Sequence, residues 1–369
     1  MADPEMTADK AVTVHLTEAQ FGERERELAR CGALAASTFR YDNGIAALRV
    51  ANARGEIVML PFKGQQIWRA RFDGRDLTMK SMFDTPRQTT NYLENYGAFL
   101  IHCGMSAIGA PGPQDDHPLH GEVPNMVFDS AFLRFDPAAG TVTIGGVARY
   151  SKAFAIDYRL RTEVTLGADA AVLDVAVTVD NLMGTEIAIM YLGHVNFRPV
   201  DGAKLVYSAP YTPEAIRVRE AIPRHITPRP GYPEFLAALA KDPGLHHDIK
   251  PDLAFDPEVV FDIAMQTDAE GWAHALQRHP DGTADYVAHR PAQLSRAIRW
   301  ISRTGDQDAL GLVLPSTSGT EGRTVEKAAG RHATVPAHGT WHAGYRTGLL
   351  TPGEAAGMAA HIDAICGRD

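Results

Sequence analysis

Two histidines, a carboxylate and an asparagine fall within His117–Asn125, HPLHGEVPN, among turn-forming Pro and Gly. A second stretch, Tyr191–Phe197, reads YLGHVNF. Histidine titrates near neutrality and also ligates transition metals, so these residue types suit either acid–base catalysis or a metal site. Side chains on an extended strand repeat with period two, which would put His120 and Glu122 on one face and His117 on the other. By the same rule His194 and Asn196 point together, away from Tyr191, Val195 and Phe197. Such a pair supplies both donors and acceptors and suits the hydroxyls of a sugar. The spacing of His117, His120, Glu122 and His194 matches no dense metal signature.

The elements that must carry these groups read as strands. IAALRVANARGEIVMLPF is two strands around an Arg-Gly turn, and QIWRARFDGRDLTM repeats the pattern around Asp73-Gly74. TVTIGGVARY, FAIDYRLRTEVTLG, AVLDVAVTVDNLMG and EIAIMYLGHVNF follow as four strand-like runs, punctuated by Gly, Asp and Asn. Period-two alternation with one polar face marks a large antiparallel sheet. From about 207 to 257 the chain turns irregular, rich in Pro and His, with one short helix in GYPEFLAALAKDPG. Strands resume with VVFDIAMQTD and continue to HGTWHAGYRTGLL, and TPGEAAGMAAHIDAIC reads as a closing helix capped at Thr351. LTEAQFGERERELAR reads as a helix in an N-terminal extension over residues 1–36. The expected organisation is that extension followed by one β-sandwich domain over 37–369, with the irregular insertion at about 207–257.

Composition narrows the function classes. The chain has 369 residues, 45% of them hydrophobic, enough for a large core. A net charge of −9 without a basic run argues against a nucleic-acid partner. The start MADPEMTADKAVTV has neither a basic segment nor an apolar one, and no apolar run approaches a bilayer span, so no membrane partner is expected. Three scattered cysteines suit a reducing compartment, and a cytoplasmic protein is the expectation. No GxGxxG follows a strand, no P-loop lysine motif is present and no G-x-S-x-G suggests a serine hydrolase. No cofactor is implied, and nothing in the sequence sets an oligomeric state.

HPLHGEVPN, followed some way downstream by a strand ending in GHVNF, resembles the aldose 1-epimerase (galactose mutarotase) superfamily, more narrowly its uncharacterised aldose-1-epimerase-like branch. IHCGMSAIGAP, VTVDNLMG, AIRWISRTG and ALGLVLP fit the same pattern, and the resemblance runs from about Phe39 to Leu350. It implies an all-β supersandwich with a cleft across one sheet, and interconversion of sugar anomers through an acid–base-catalysed ring opening. Carried over by position, His194 would be the general acid, with His120 holding the substrate near the ring oxygen. Neither needs a metal or an organic cofactor.

The base departs from the family pattern. A glutamate is expected on a late strand, yet the matching run LGLVLPSTSGTEGRTVEKAAG carries Val313 and Leu314 there. Glu321 and Glu326, just downstream, are the candidate replacements, and Glu122 is a third. His117, Glu122, Asn196, Asp262, Arg71 and Arg323 are candidate substrate contacts, and Trp300 or Trp341 could stack on a sugar face. The leading expectation is a carbohydrate-active, mutarotase-like epimerase that interconverts the anomers of a free or modified sugar by His/Glu acid–base ring opening. A metal-dependent sugar isomerase using His117, His120, Glu122 and His194 is one alternative, and a non-catalytic sugar-binding protein is another.

Overall fold

The computed structural model describes residues 10–222 and 227–368. Two large antiparallel sheets dominate the chain. The nine-stranded sheet runs in spatial order Val12–Leu16, Ser130–Asp136, Thr141–Lys152, Ile156–Gly167, Val172–Asn181, Thr340–Leu350, Ala284–His289, Ala273–Arg278, Lys204–Tyr207. The twelve-stranded sheet runs Ile216–Val218, Phe255–Ile263, Arg296–Arg303, Asp308–Ser316, Leu192–Val195, Leu100–Cys103, Ile67–Phe72, Gly55–Met59, Ala46–Ala51, Leu34–Arg40, Arg26–Cys31, with Arg75–Asp76 paired beside Ile67–Phe72. A two-stranded ribbon, Ile187–Ile189 with Ala333–Val335, lies outside both.

Alternation assigns the faces. In Ile156–Gly167, Tyr158, Leu160, Val164 and Leu166 are buried in the main core. Arg159 and Arg161, on the other face of that strand, are exposed. Inward residues of the second sheet, among them Leu48, Ile57, Phe99, Phe261 and Leu312, join the same cluster. Burial of each such side chain contributes roughly 1.5–3 kcal/mol, so this interface is the main source of stability. Each sheet also has a covered outer face. On the twelve-stranded sheet a second apolar cluster gathers Trp68, Tyr92, Tyr96, Leu192, Val260, Ile298, Trp300 and Leu314. On the nine-stranded sheet the closing helix Pro352–Cys366 lays Ala355, Ala359 and Ile362 against Leu276, Tyr286 and Ala288. Thr351 caps that helix in a capping box with Glu354, as its sequence implied.

Two segments differ from the sequence reading. The helix expected at LTEAQFGERERELAR is absent. Glu18–Gln20 forms one short turn, and Arg26–Cys31 is an edge strand paired with Leu34–Arg40. Val12–Leu16 pairs with Ser130–Asp136, so the N-terminal segment is built into both sheets. EIAIMYLGHVNF is also broken: Ile187–Ile189 belongs to the ribbon and Leu192–Val195 to the twelve-stranded sheet. Among the described residues no helix is long and apolar enough to cross a membrane.

Candidate functional site

The outer face of the twelve-stranded sheet carries a cavity of about 310 Å³. Its floor comes from three strands. Leu192 and His194 project from Leu192–Val195, Ile298 and Trp300 from Arg296–Arg303, and Glu258 and Val260 from Phe255–Ile263. Period two explains the selection, because Val195, Ile301, Val259 and Phe261 turn the other way into the main core. Tyr92, Tyr96, Leu119, His120, Arg219 and Thr320 close the walls from loops.

His194 is the most constrained group. Its Nδ1 lies 2.7 Å from Asn196 Oδ1, while Asn196 gives Nδ2 to the Ala98 carbonyl at 3.0 Å. With that amide orientation Oδ1 is an acceptor, so His194 Nδ1 carries the proton and Nε2 keeps its lone pair. Burial pushes the imidazole down to about 4, against the opposing Asn196 hydrogen bond. His194 is therefore neutral at pH 7. The sequence placed His194 and Asn196 on one side of the chain, and the structure joins them there. The contact makes Asn196 the group that orients His194.

Aromatic rings frame this imidazole. The His120 ring stands 5.4 Å from it in an edge-on arrangement, and the Trp300 ring also lies at 5.4 Å. Tyr92 packs 4.8 Å from His120, and Tyr96 places its hydroxyl 3.4 Å from His194 Nε2. Burial, and secondarily the Glu258 carboxylate, pushes the Tyr96 phenol well above its ordinary range, so it remains a donor. His120 sits in a turn at φ 60°, followed by Gly121 at φ 78°. Gly109 N–H approaches its Nδ1 at 3.4 Å.

The cavity lining contains two carboxylates, Glu258 and Asp306, and the sequence reading named neither. Glu258 accepts from Arg219 Nη2 at 2.7 Å and from Trp300 Nε1 at 2.7 Å. Its signal was available: Glu258 shares the parity of Asp262 on the same strand and comes directly after Pro257. Taking Pro257 as the end of the irregular insertion hid it. The late strand that lacks a glutamate does reach the cavity, through Leu314.

The other expected carboxylates serve elsewhere. Glu122 does not share a face with His120, since the turn at His120-Gly121 breaks period two. It accepts from Met105 and Ser106 amides, from Ser106 Oγ and from Tyr158 Oη at 2.6 Å, and so fastens the 104–106 loop to the sandwich. Glu326 is fully buried in a second clamp. It accepts from the Gly319 and Glu321 amides and from Arg331, which fixes the loop that delivers Thr320 to the cavity. Glu321 is exposed and lines a neighbouring hollow with Asp262. Asp262 pairs with Arg296, and burial raises its carboxyl.

His117 is buried with its Nδ1 2.9 Å from the Pro118 carbonyl. Arg323 binds Asp116 at 2.5 Å, and Arg71 is exposed on its strand. Neither arginine lines the cavity. Thus His120 and His194 stand side by side in the cavity. His117, Glu122, Asp262, Glu321, Glu326, Arg71 and Arg323 do not join them, and the four-residue metal constellation does not assemble.

This architecture, two packed antiparallel sheets with a cavity on the outer face of one, is the galactose mutarotase-like β-sandwich. A "putative aldose 1-epimerase" from Klebsiella pneumoniae superposes with a TM-score of 0.77 at 16% identity, covering 97% of this chain and 96% of that one. A galactose mutarotase-like protein from Clostridium acetobutylicum gives 0.59 at 14%, over 87% and 100%. Another from Lactobacillus casei gives 0.52 at 14%, over 82% and 100%. At these identities the likeness establishes the fold. The chain belongs to the family described as a domain of unknown function, DUF4432, whose model matches residues 42–348. No curated protein matches it.

Proposed function

We propose that this protein interconverts the anomers of a small sugar, with His194 as the proton-transfer group. One observation carries the reading: His194, His120 and Glu258 line a single cavity of sugar-compatible size, framed by Trp300, Tyr92 and Tyr96. Ring opening must take the proton from the anomeric hydroxyl O1, form the C1–O1 double bond, break C1–O5 and protonate O5. O1 and O5 are both bonded to C1, so one imidazole can serve both. Nε2 of neutral His194 accepts the O1 proton and passes it to O5; reclosure on the opposite face of the carbonyl reverses the path. His194 thus begins as a base, where the family resemblance implied an acid, because its burial and its Asn196 partner leave Nε2 unprotonated.

Glu258 binds hydroxyls in this scheme. Arg219 and Trp300 already donate to its two oxygens, and each oxygen keeps acceptor capacity for a sugar hydroxyl. His120 supports the ring oxygen from the adjacent wall. The wholly apolar Leu192, Val260, Ile298 and Leu314 suit the C–H face of a pyranose. Three free cysteines are consistent with a reducing, cytoplasmic setting.

The test is anomer exchange measured by NMR across aldoses, ketoses and uronic acids. At least one sugar should exchange faster than its spontaneous rate, and His194→Ala should reduce that acceleration by about 10²–10⁴-fold. Background rates for every sugar with the wild-type protein, or an undiminished rate in His194→Ala, would overturn the reading.

A further inference from the structure

Away from the cavity, on the outer face of the nine-stranded sheet, three potential ligands converge. Among the described residues Asp268, His274 and His361 are the one group of three His, Cys, Asp or Glu whose ligand atoms all lie within 4.8 Å of one another. His274 Nε2 is 2.9 Å from Asp268 Oδ2, and His361 Nε2 is 3.4 Å from the same oxygen. Tetrahedral zinc, with bonds of about 2.0–2.1 Å, holds its ligand atoms about 3.3–3.4 Å apart. The His361 separation matches that edge length, and the His274 separation is a hydrogen-bond distance that ligation would lengthen.

Two of the three ligands are held from behind by further hydrogen bonds. His274 lies on the Ala273–Arg278 strand, with its other ring nitrogen 2.9 Å from Tyr286 Oη. Asp268 is fixed through Oδ1 by the Glu270 and Trp272 amides at 3.0 and 2.8 Å, which leaves Oδ2 for the shared point. His361 lies on the closing helix with its side chain 45% exposed, giving the site an entry path and a solvent-facing position. Arg346, whose charge bears on His274, is itself paired with Asp174 at 2.8 Å.

We infer that Asp268, His274 and His361 form a binding site for a divalent transition ion of the zinc class, with water as the fourth ligand, and that the ion ties the closing helix to the nine-stranded sheet. Two imidazoles and one carboxylate favour zinc, cobalt or nickel over magnesium or calcium, which take oxygen ligands. The His274 and His361 nitrogens bind as neutral donors, and the Nε2 proton of His274 moves to Nδ1, where Tyr286 Oη accepts it. The ion lies on the opposite sheet from the sugar cavity, so its role is structural and independent of the reaction proposed above.

The experiment uses the full-length chain, stripped by a chelator and titrated with zinc chloride by calorimetry and by thermal unfolding. The expected result is one zinc per chain and an increased melting temperature. In His361→Ala the affinity should fall by more than about 10-fold and the thermal gain should vanish. His361 is half exposed, so this variant is expected to match the zinc-free wild type in melting temperature. Cobalt provides a second readout: wild type should develop the visible absorption of four-coordinate cobalt, and both His361→Ala and Asp268→Asn should not. Absence of zinc binding, equal zinc affinity in wild type and His361→Ala, or unchanged cobalt spectra in the variants would overturn the assignment.

Discussion

Asn196 Oδ1 lies 2.7 Å from His194 Nδ1, and the same amide is anchored on the Ala98 carbonyl. One side chain two residues from the histidine thus sets both its ring orientation and its tautomer. Asn196→Leu would leave the buried His194 N–H without its acceptor, at a cost of roughly 1–3 kcal/mol in stability. It should also lower kcat by more than it raises KM, because the lone pair at Nε2 is no longer held in place. Asn196→Asp is the sharper probe. A carboxylate at that position stabilises the imidazolium, so the acid limb of the pH–rate profile should move upward from its wild-type position near pH 4. An unmoved profile in Asn196→Asp would remove His194 as the titrating group.

For Glu258 the expected effect is on binding. Glu258→Gln keeps the shape and an acceptor oxygen but leaves Arg219 without its carboxylate. KM should rise by about 10–100-fold with a smaller change in kcat, the signature of lost ground-state binding. A loss of about 10²–10⁴-fold in kcat at unchanged KM would instead make Glu258 the base of the reaction. Steady-state kinetics on the substrate found by anomer exchange decides between the two.

How much of this was legible in sequence follows from how local each determinant is. The hairpins at Arg54-Gly55 and Asp73-Gly74 could be read because turn chemistry fixes them; Asp73 and Gly74 both take positive φ, at 49° and 78°. The His194–Asn196 pair could be read because period two applies on and just beyond its strand. His120 and Glu122 could not, since residues in left-handed conformations at 120 and 121 break the alternation. LTEAQFGERERELAR reads as a helix from a cap at Thr17 and a close at Cys31-Gly32, and within it Glu27 and Arg30, three apart, do pair at 2.5 Å. That pair forms instead on an edge strand whose pairing slips between Glu27 and Ala29, an outcome set by the neighbouring strand. Glu258 reaches the cavity through a strand that continues across Pro257, whereas reading Pro257 as a boundary put the residue outside the sheet.

Glu122 offers a separate test of structure against catalysis. It receives the Met105 and Ser106 amides, the Ser106 hydroxyl and Tyr158 Oη, so it is a fastening for the loop rather than a substrate contact. Glu122→Ala strands several donors at once and should lower stability by about 2–4 kcal/mol, measured as a shift in urea midpoint at unchanged m-value. The fraction that remains folded should keep its KM. A raised KM with an unchanged midpoint would return Glu122 to the substrate.

Buried neutral histidines make the protein acid-sensitive, with a sign that can be worked out. Burial lowers His102 to about 3, His194 to about 4 and His289 to about 3, each from an ordinary 6.5. Their folded values lie below the unfolded one, so between pH 6.5 and about 3–4 the unfolded chain binds protons that the folded chain does not. Their neutral burial is therefore harmless above about pH 6.5 and costs stability progressively as pH falls through that window. At pH 4.5, two units below the unfolded value, each fully neutral histidine costs roughly 2–3 kcal/mol. Urea unfolding at pH 7 and at pH 4.5 should show a much lower midpoint at the acid value. His289→Gln, which removes a titrating group remote from the cavity, should narrow the gap between the two pH values by an amount on the order of one such histidine. Equal midpoints at both pH values would mean that the unfolded chain gains no such advantage, and that these imidazoles are protonated in the folded protein.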